Sequence, residues 1–237
     1  ELHKVLGNIN DVYEFATFIA NAQQSNIISP DEFNIAINVA QQQYFKTKLG
    51  LPETYSVQKR EAPQQFQTTQ SNSDSLRPFI VSTDIVKSGN GFNFPTNFAA
   101  FAGQSYLYVE QVNGQSVATR QPLEMVTIGE RGLRLNDYIL YPTLEYPIVT
   151  YLNNQLLVDP VDVTAVNLTY VRYPVTPIRN YTVVNDFNVY NPVGSVQLEF
   201  PNLDWEDIAH IAVRLWAQYM RDGELFGTEE NRIKTGN

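Results

Sequence analysis

Residues 144–177 constrain the fold of this chain more than any other stretch, because their pattern specifies strands and the turn between two of them. Ile148–Leu152 and residues 155–158 are runs of apolar, β-branched or aromatic side chains. Asn153 and Asn154 separate the two runs, and asparagine tolerates the positive φ angles that a two-residue hairpin turn requires. The stretch therefore predicts a β-hairpin.

A third strand is predicted to follow this hairpin. Residues 166–170 alternate strictly between apolar and polar side chains, which is typical of a strand with one face toward a core. Proline donates no hydrogen bond to a sheet and is expected to end the second and third strands, at Pro160, Pro174 and Pro177. This region is scaffold and suggests no chemistry of its own.

Helical patterns precede this region, in residues 1–52. Asn10 or Asp11 is expected to cap a first helix that ends near Ser25 and carries apolar residues at helical spacing. The second helix has a complete start signal of an N-cap, a proline at the first helical position and a glutamate that closes a capping box: Ser29, Pro30 and Glu32. Gly50 is expected to end it. The two elements predict a helical hairpin.

Residues 53–78 differ in character and are rich in glutamine and serine. They offer little apolar surface to offset the entropy that a segment loses when it becomes ordered. Two interpretations stay open: a surface linker, or an extended arm that becomes ordered against a neighbouring subunit.

Residues 79–201 are predicted to form an antiparallel, β-rich body around the hairpin. Further candidate strands span residues 80–86, 105–112, 123–128, 181–184, 187–190 and 196–200. Asn113-Gly114 is a strong hairpin-turn signal, and Asn185-Asp186 separates two further runs in the same way. Residues 129–136 suggest a short helix. The glycine-rich residues 87–91 lack the spacing of a phosphate loop and predict a turn.

Residues 202–223 are predicted to form a C-terminal helix that packs with the N-terminal helices and is capped by Asn202 or Asp204. Its apolar face is expected to hold Ile208, Ile211, Ala212, Leu215, Trp216 and Tyr219. Residues 224–237 form a polar tail. The predicted fold class is therefore α+β, with an N-terminal helical hairpin, a central antiparallel β-rich domain and a C-terminal helix.

Composition disfavours several classes of function. The 237 residues carry 16 basic and 25 acidic side chains, and the net charge of -9 disfavours a general affinity for nucleic acid. The lack of cysteine removes disulfides, thiolate metal ligands and cysteine nucleophiles. Of the two histidines, His3 lies near an end that is expected to fray and His210 lies beside the apolar face of a helix, so no histidine-based triad is expected. No apolar run reaches the roughly 18 residues that cross a membrane, so no membrane partner is expected.

Paired carboxylates are the remaining candidates for chemistry or cation binding, for example Asp159 with Asp162 and Asp204 with Asp207. Their spacing does not match a cation loop, and capping, turns and solvation explain them. The sequence therefore predicts no catalytic, cofactor-binding or metal-binding residue and no enzymatic activity. Tyrosine is abundant, with 14 residues, several of them directly before proline, and such residues suit protein or carbohydrate interfaces.

Three stretches together resemble a family of structural proteins from the neck or tail of tailed bacteriophages of Bacteroidetes, including the crAss-like phages. The first is the helical hairpin with Ser29-Pro30-Asp31-Glu32-Phe33-Asn34. The second runs from Tyr141-Pro142-Thr143 through the predicted hairpin to residues 166–170 and Tyr173-Pro174. The third is Leu198-Glu199-Phe200-Pro201 with the helix that follows it. The order and spacing of the stretches carry the resemblance.

The resemblance implies a non-enzymatic virion protein that forms a ring, as a head-to-tail adaptor or a tail-hub layer linking portal to tail. Its implied partners are copies of itself, in a homo-oligomer such as a dodecamer that matches the portal, together with the portal and other neck or tail proteins. Genomic DNA would pass through the ring without specific binding, which an acidic lumen favours. Two other classes stay open: a β-rich receptor- or carbohydrate-binding module that uses tyrosines for stacking, and an enzyme, for which the sequence displays no acidic site.

Overall fold

A computed structural model of the chain describes residues 6–22, 28–50, 74–112, 115–220, 228 and 230–231, with side chains except at residues 22 and 107–118. The chain divides into two compact units. We call Glu1–Pro78 with Pro174–Asn237 the helical unit and Phe79–Tyr173 the sheet unit. The predicted α+β class, with helix at both ends of the chain and a central β-rich region, is confirmed.

The described part of the chain forms the following regular elements. Its helices of more than one turn are α1 (Ile9–Ala22), α2 (Pro30–Lys48), α3 (Ile128–Arg134) and α4 (Trp205–Met220). The strands are β1 (Ile80–Val86), β2 (Phe92–Asn93), β3 (Phe98–Val112), β4 (Gln115–Pro122), β5 (Glu124–Met125), β6 (Ile148–Leu152), β7 (Gln155–Asp159), β8 (Ala165–Arg172), β9 (Tyr181–Val184) and β10 (Phe187–Tyr190).

Side-chain caps fix the starts of α1 and α2. At α2, Ser29 Oγ accepts a hydrogen bond from the Glu32 N–H at 3.3 Å, and the Glu32 carboxylate accepts one from the Ser29 N–H at 3.0 Å, so the predicted capping box is present. At α1 the predicted cap is wrong. Asn8 Oδ1 accepts hydrogen bonds from the N–H groups of Asn10 and Asp11, at 2.9 and 3.0 Å, because it precedes the first turn and can reach both donors.

The C-terminal helix α4 packs with both α1 and α2. Its buried stripe repeats every three or four residues: Trp205, Ile208, Ala209, Ala212, Val213, Trp216 and Ala217. The prediction that Trp216 is buried is confirmed. The prediction that Tyr219 shares its face is wrong, because the stripe continues through Ala217 and leaves Tyr219 77% exposed.

Two four-stranded sheets make up the sheet unit. The first has the order β1-β8-β3-β4 with antiparallel neighbours, and the second has the order β2-β7-β6-β5, in which β5 runs parallel to β6. Side chains from both sheets share one core of Phe92, Tyr106, Leu123, Val149, Leu156, Val158, Val163, Val166, Leu168 and Tyr170. Burial of this apolar surface is what holds the two sheets together.

The predicted hairpin is present as β6 and β7. The strands pair from Ile148 with Asp159 to Leu152 with Gln155, and Asn153 and Asn154 between them have φ angles of 51° and 62°. The next strand, β8, shows the predicted alternation of burial. It does not pair with this hairpin but with β1 and β3 in the other sheet.

Residues 123–128 do not form the predicted strand. Only Glu124–Met125 are in β conformation, because Thr127 caps α3: its Oγ1 accepts a hydrogen bond from the Glu130 N–H at 3.3 Å. The sequence patterns also do not predict β4. This strand pairs with β3, from Ser105 opposite Pro122 to Val112 opposite Gln115. Asn113 and Gly114, the predicted turn between these strands, lie outside the described residues.

The sheet unit ends at Tyr173, whereas the predicted β-rich body extends to residue 201. Beyond Tyr173 the chain bonds to α2: Gln41 Nε2 donates to the Val175 carbonyl at 2.9 Å, and Asn34 exchanges two hydrogen bonds with the backbone of Arg179. Polar side chains of a helix thus replace a neighbouring strand as hydrogen-bond partners of this backbone.

The predicted strand at residues 196–200 is wrong for a related reason. Leu198 and Phe200 are buried, so the alternation in the sequence reflects real burial. In the described part of the chain, however, the only backbone pairing of this segment is a single bridge between Ile178 and Val196. Alternating burial therefore arises here without a sheet.

The described end of the predicted linker or arm at residues 53–78 has regular structure. Residues 74–76 form a helical turn and Arg77–Phe79 a 3-10 turn, with Ser75 and Phe79 buried. Residues 51–73 lie outside the described residues, as do most of the predicted polar tail and residues 221–223 at the predicted end of the C-terminal helix.

Candidate interaction surface

The residues that sequence analysis weighed for chemistry do not assemble into a catalytic site in the described part of the chain. His210 is buried in α4, with its ring edge-to-face against Phe15 at 5.4 Å and its Nε2 3.8 Å from a carboxylate oxygen of Glu206. His3 lies outside the described residues. Among the described residues, no group of three metal-ligating side chains is placed to hold an ion. No helix in the described ranges is both long and apolar enough to cross a bilayer.

The carboxylates of Asp204 and Asp207 lie where α4 begins, close to the end of α2. Burial raises the pKa of Asp207. The negative charge of Asp204 raises this pKa further, and the positive charge of Lys48 lowers it. Burial and the charge of Asp204 also raise the pKa of Tyr44, whose ring lies 5.0 Å from Lys48 Nζ. These groups couple the end of α2 to the start of α4 electrostatically, which is a structural role.

Two arginines attach the short helix α3 to strands β5 and β7 of the same unit. Arg131 Nε and Nη2 donate to the two carboxylate oxygens of Asp159 at 2.5 and 3.1 Å, and Arg134 contacts both oxygens of Glu124 at 2.6 and 2.7 Å. The hydrogen bond to Asp159 raises the pKa of Arg131, and the hydrogen bond from Arg134 lowers the pKa of Glu124. Such bidentate pairs fix orientation as well as position.

No side chain of α3 is buried. Ile128 and Leu133 are both more than half exposed. The helix is therefore held by its arginines, and its apolar side chains face solvent, which is the reverse of a helix that covers a core.

The segment after α3 is apolar, aromatic and exposed. Its large side chains are between 41% and 100% exposed: Tyr138, Ile139, Leu140, Tyr141, Leu144 and Tyr146, which we call the tyrosine platform. A fully exposed tyrosine side chain has roughly 150–250 Å² of surface and the aliphatic side chains have less, so at these exposures the six side chains present on the order of 600–800 Å² in total. That is close to the ~800 Å² that each partner buries in a standard protein interface.

The backbone of the tyrosine platform is ordered by local hydrogen bonds. Asp137 Oδ1 accepts from the N–H groups of Ile139 and Leu140, at 2.8 and 3.2 Å, and these two bonds lower the pKa of Asp137. The Tyr146 N–H donates to Thr143 Oγ1 at 3.2 Å. Prolines 142 and 147 are buried. These local hydrogen bonds and the two buried prolines hold the backbone of the platform in place.

A shallow pocket of about 270 Å³ opens at one end of the tyrosine platform. It is lined by Gln121, Pro122, Leu123, Glu124, Glu145, Tyr146 and Pro147. The neighbouring Glu145 carboxylate raises the pKa of Tyr146. Its volume is slightly below the ~300–1,000 Å³ of typical small-molecule pockets.

The helical unit carries a second exposed surface, the hairpin of β9 and β10. Asn185 and Asp186 form its predicted turn, with φ angles of 50° and 62°. A two-stranded hairpin is only marginally stable alone. This one is anchored at its base, where the Tyr181 hydroxyl bonds to the Asp31 carboxylate at 3.2 Å and the Tyr190 ring lies 5.7 Å from the Arg179 guanidinium.

Arg179 is the buried centre of this anchor, with 4% of its surface exposed. Its Nε donates to Asn10 Oδ1 at 3.0 Å, and its guanidinium carbon lies 4.0 Å from the centre of the Tyr13 ring. Burial lowers the pKa of Arg179. The aromatic faces of Tyr13 and Tyr190 stabilise a cation that water no longer reaches.

The two faces of the hairpin differ. Residues opposite each other in an antiparallel pair share a face, so Tyr181 and Tyr190 at the anchored base lie on one face. Val184 opposite Phe187, and Thr182 opposite Val189, lie on the other face, and all four are exposed. This apolar outer face, of Val184, Phe187 and Val189, we call the hairpin face.

Comparison with known proteins adds no family assignment. No protein-family model matches the chain, and no curated protein matches its sequence.

Sequence analysis anticipated the hairpin but not the tyrosine platform. The tyrosines before Pro142 and Pro147 suit interfaces by residue type, but the sequence pattern places the whole segment only in the β-rich body. Residues 136–147 have neither a strand nor a helix period although they are rich in large apolar side chains. The lack of either period is consistent with a loop, but it does not indicate that the large apolar side chains are exposed.

Proposed function

We propose that this chain is a non-enzymatic structural protein that assembles with copies of itself into a ring in the virion of a tailed bacteriophage. In this proposal the ring is a head-to-tail adaptor or tail-hub layer that links portal to tail. The observation that carries it is the tyrosine platform, an ordered apolar surface of interface size. The resemblance of three sequence stretches to phage neck and tail proteins supplies the biological setting.

Surface chemistry supports association as the role of the platform. The largest apolar patch on a typical monomer covers about 300–600 Å², and larger ones mark interaction sites. Tyrosine is enriched where protein interfaces are buried, whereas lysine and glutamate are depleted there. Three of the six platform residues are tyrosines. Among residues 138–146, Glu145 is the only charged residue.

The proposed partners follow from the ring. They are further copies of this chain, in a number such as twelve that matches a portal, and the portal and tail proteins above and below. Genomic DNA passes through the lumen without specific binding. The net charge of -9 favours this passage, provided that acidic side chains line the lumen.

Native mass spectrometry and electron microscopy of the purified full chain test the proposal. We expect a closed ring with a single copy number and the mass of an integral multiple of 27.0 kDa. A chain that stays monomeric at every concentration, alone and with portal protein, contradicts it.

A second candidate is a receptor- or carbohydrate-binding module, which the exposed rings of Tyr138, Tyr141 and Tyr146 favour. Tyrosine faces stack on the apolar faces of sugars much as they do on other rings. Binding of the monomeric chain to a glycan array, lost on Tyr138→Ala, supports this candidate over the ring.

A further inference from the structure

We propose that neighbouring copies of this chain join by backbone hydrogen bonds, with the outer edge of β4 in one copy paired to the outer edge of β1 in the next. This inference rests on the proposed ring and names a contact that repeats around it. The first sheet, of order β1-β8-β3-β4, then continues from each copy into its neighbour.

The edge strands of the two sheets differ in length. The second sheet ends in β2 and β5, each two residues long, and very short edge strands are one way in which proteins prevent association between sheets. The first sheet ends in β1, with seven residues, and in β4, with eight. In the described part of the chain, no further strand pairs with the outer side of either. The first sheet therefore presents two long rows of backbone N–H and C=O groups.

Both long edges are regular, whereas bulges, lysines and prolines commonly protect an edge strand from pairing. β1 pairs with β8 over seven consecutive residues and β4 with β3 over eight, without a register shift. The register shifts of this sheet lie in its interior, between β3 and β8. Each edge has one charged residue, Asp84 in β1 and Arg120 in β4, and its one proline is Pro122 at the end of β4. Such edges are suited to strand addition.

Strand directions determine how these edges can meet. Neighbouring strands of the first sheet are antiparallel throughout, so β4 runs opposite to β1. In a ring, β1 points the same way relative to the axis in every copy, and each head-to-tail contact joins two different surfaces. β4 of one copy therefore runs antiparallel to β1 of the next. Two β1 edges can also pair with each other, but they form a closed dimer that does not extend.

The outward-pointing backbone groups of both strands belong to even-numbered residues. The Lys87 N–H donates to the Thr164 carbonyl at 3.1 Å, in register with β1 and β8. The Leu123 N–H donates to the Gln104 carbonyl at 3.4 Å, in register with β4 and β3. Because the two sides alternate along an antiparallel strand, odd-numbered residues bond inward and even-numbered residues point outward. Pro122, which has no N–H, is among the outward-pointing residues.

Asp84 and Arg120 lie on the same face of the first sheet. One row of cross-strand partners runs through all four strands: Asp84, Asn167, Ser105 and Pro122. Residues opposite each other share a face, and so do residues two apart in one strand, which places Arg120 on the face of this row. Both charged residues are exposed. The two outer edges therefore carry opposite charges on one face.

The register with the greatest overlap matches both hydrogen bonds and charges. It aligns residues 116–122 of one copy with Ile80–Val86 of the next, so that even-numbered residues of the two strands lie opposite each other. Their outward N–H and C=O groups then exchange hydrogen bonds. Arg120 comes opposite Ser82 and diagonal to Asp84, and long side chains reach a diagonal neighbour. Charge complementarity thus favours β1 of a second copy as the partner of β4.

The first test removes a hydrogen-bond donor from the outer edge of β1 in the full chain. Ser82→Pro deletes an outward N–H, and Ser82→Ala is the matched control because it removes the same hydroxyl and keeps the N–H. Thermal unfolding measured by circular dichroism establishes whether each variant is folded. By analytical ultracentrifugation, we expect Ser82→Pro to raise the concentration needed for ring formation roughly tenfold or more. Ser82→Ala should assemble as the wild type does.

The second test reverses the charges. Asp84→Arg and Arg120→Asp each place like charges across the contact and should raise the concentration needed for ring formation roughly tenfold. The double variant Asp84→Arg/Arg120→Asp should assemble as the wild type does, because unlike charges face each other again. An equal mixture of the two single variants should also form rings, since every contact between unlike chains pairs opposite charges. Native mass spectrometry should show equal numbers of the two chains in each mixed ring.

Other outcomes overturn the pairing. If Ser82→Pro is folded and forms rings as the wild type does, the outer edge of β1 is not in the contact. If the single charge variants assemble as readily as the wild type, or if neither the double variant nor the mixture improves on them, β1 and β4 do not face each other. The charge variants decide the matter even where Ser82→Pro fails to fold.

These outcomes leave the ring itself standing, because the wild type assembles. A wild-type chain that never assembles rejects the proposed function, and the pairing fails with it.

Discussion

Replacing Arg131 by methionine is expected to destabilise the sheet unit, because it leaves the Asp159 carboxylate buried without its cation. The Asp159 side chain is 6% exposed and Arg131 is 27% exposed. Removing one partner of a fully buried pair costs about 3–5 kcal/mol, and partial access of water to Arg131 reduces this to about 2–4 kcal/mol. Arg134→Met is the matched control: it removes an equally bidentate contact from the same helix, but its partner Glu124 is 58% exposed.

Equilibrium unfolding in urea, followed by circular dichroism on monomeric protein, measures both variants. We expect a clear loss in the free energy of unfolding for Arg131→Met and a change close to experimental error for Arg134→Met. Adding Asp159→Asn to Arg131→Met should restore part of the loss, since it removes the unpaired charge. Equal destabilisation by the two arginine variants would refute the argument from burial.

Three further predictions concern the helical unit and the segment before the sheet unit. Ser29→Ala should cost about 1 kcal/mol at neutral pH. Hydrogen bonds from Ser29 lower the pKa of Glu32 below 4.5. Part of the destabilisation caused by Ser29→Ala should therefore disappear as the pH falls through that lowered pKa. A destabilisation that does not change with pH contradicts the capping box. Trp205 and Trp216 are both buried, so iodide should quench little of the fluorescence, and strong quenching is the contrary result. Deleting residues 56–70 should leave thermal unfolding of the monomer unchanged and weaken ring formation. If ring formation is undiminished, this segment is only a linker.

The features that sequence predicted correctly are those that local chemistry determines. The turns at Asn153-Asn154 and Asn185-Asp186 depend on residues that tolerate positive φ, and the Ser29 box depends on two side chains three residues apart. Such features need no knowledge of distant partners. They could therefore be predicted without a structure.

The wrong predictions depend on long-range partners. The alternation at residues 196–200 reports burial, but whether a strand lies alongside is decided by distant parts of the chain. Tyr219 fits a helical stripe within its own helix, yet the neighbouring helices cover the face through Ala217. The tyrosine platform was missed because exposure of large apolar side chains is a tertiary property. Sequence patterns assign such residues to a core by default.

The attachment of α3 also bears on how this protein can evolve. No residue of α3 is buried, and the tyrosine platform follows it on an exposed loop whose own hydrogen bonds are local. Substitutions on the platform therefore leave the packing of the two sheets unchanged, so mutational drift there is not restrained by foldability. Provided that Arg131 and Asp159 are kept, the side chains of the platform can change while the packing of the two sheets is retained.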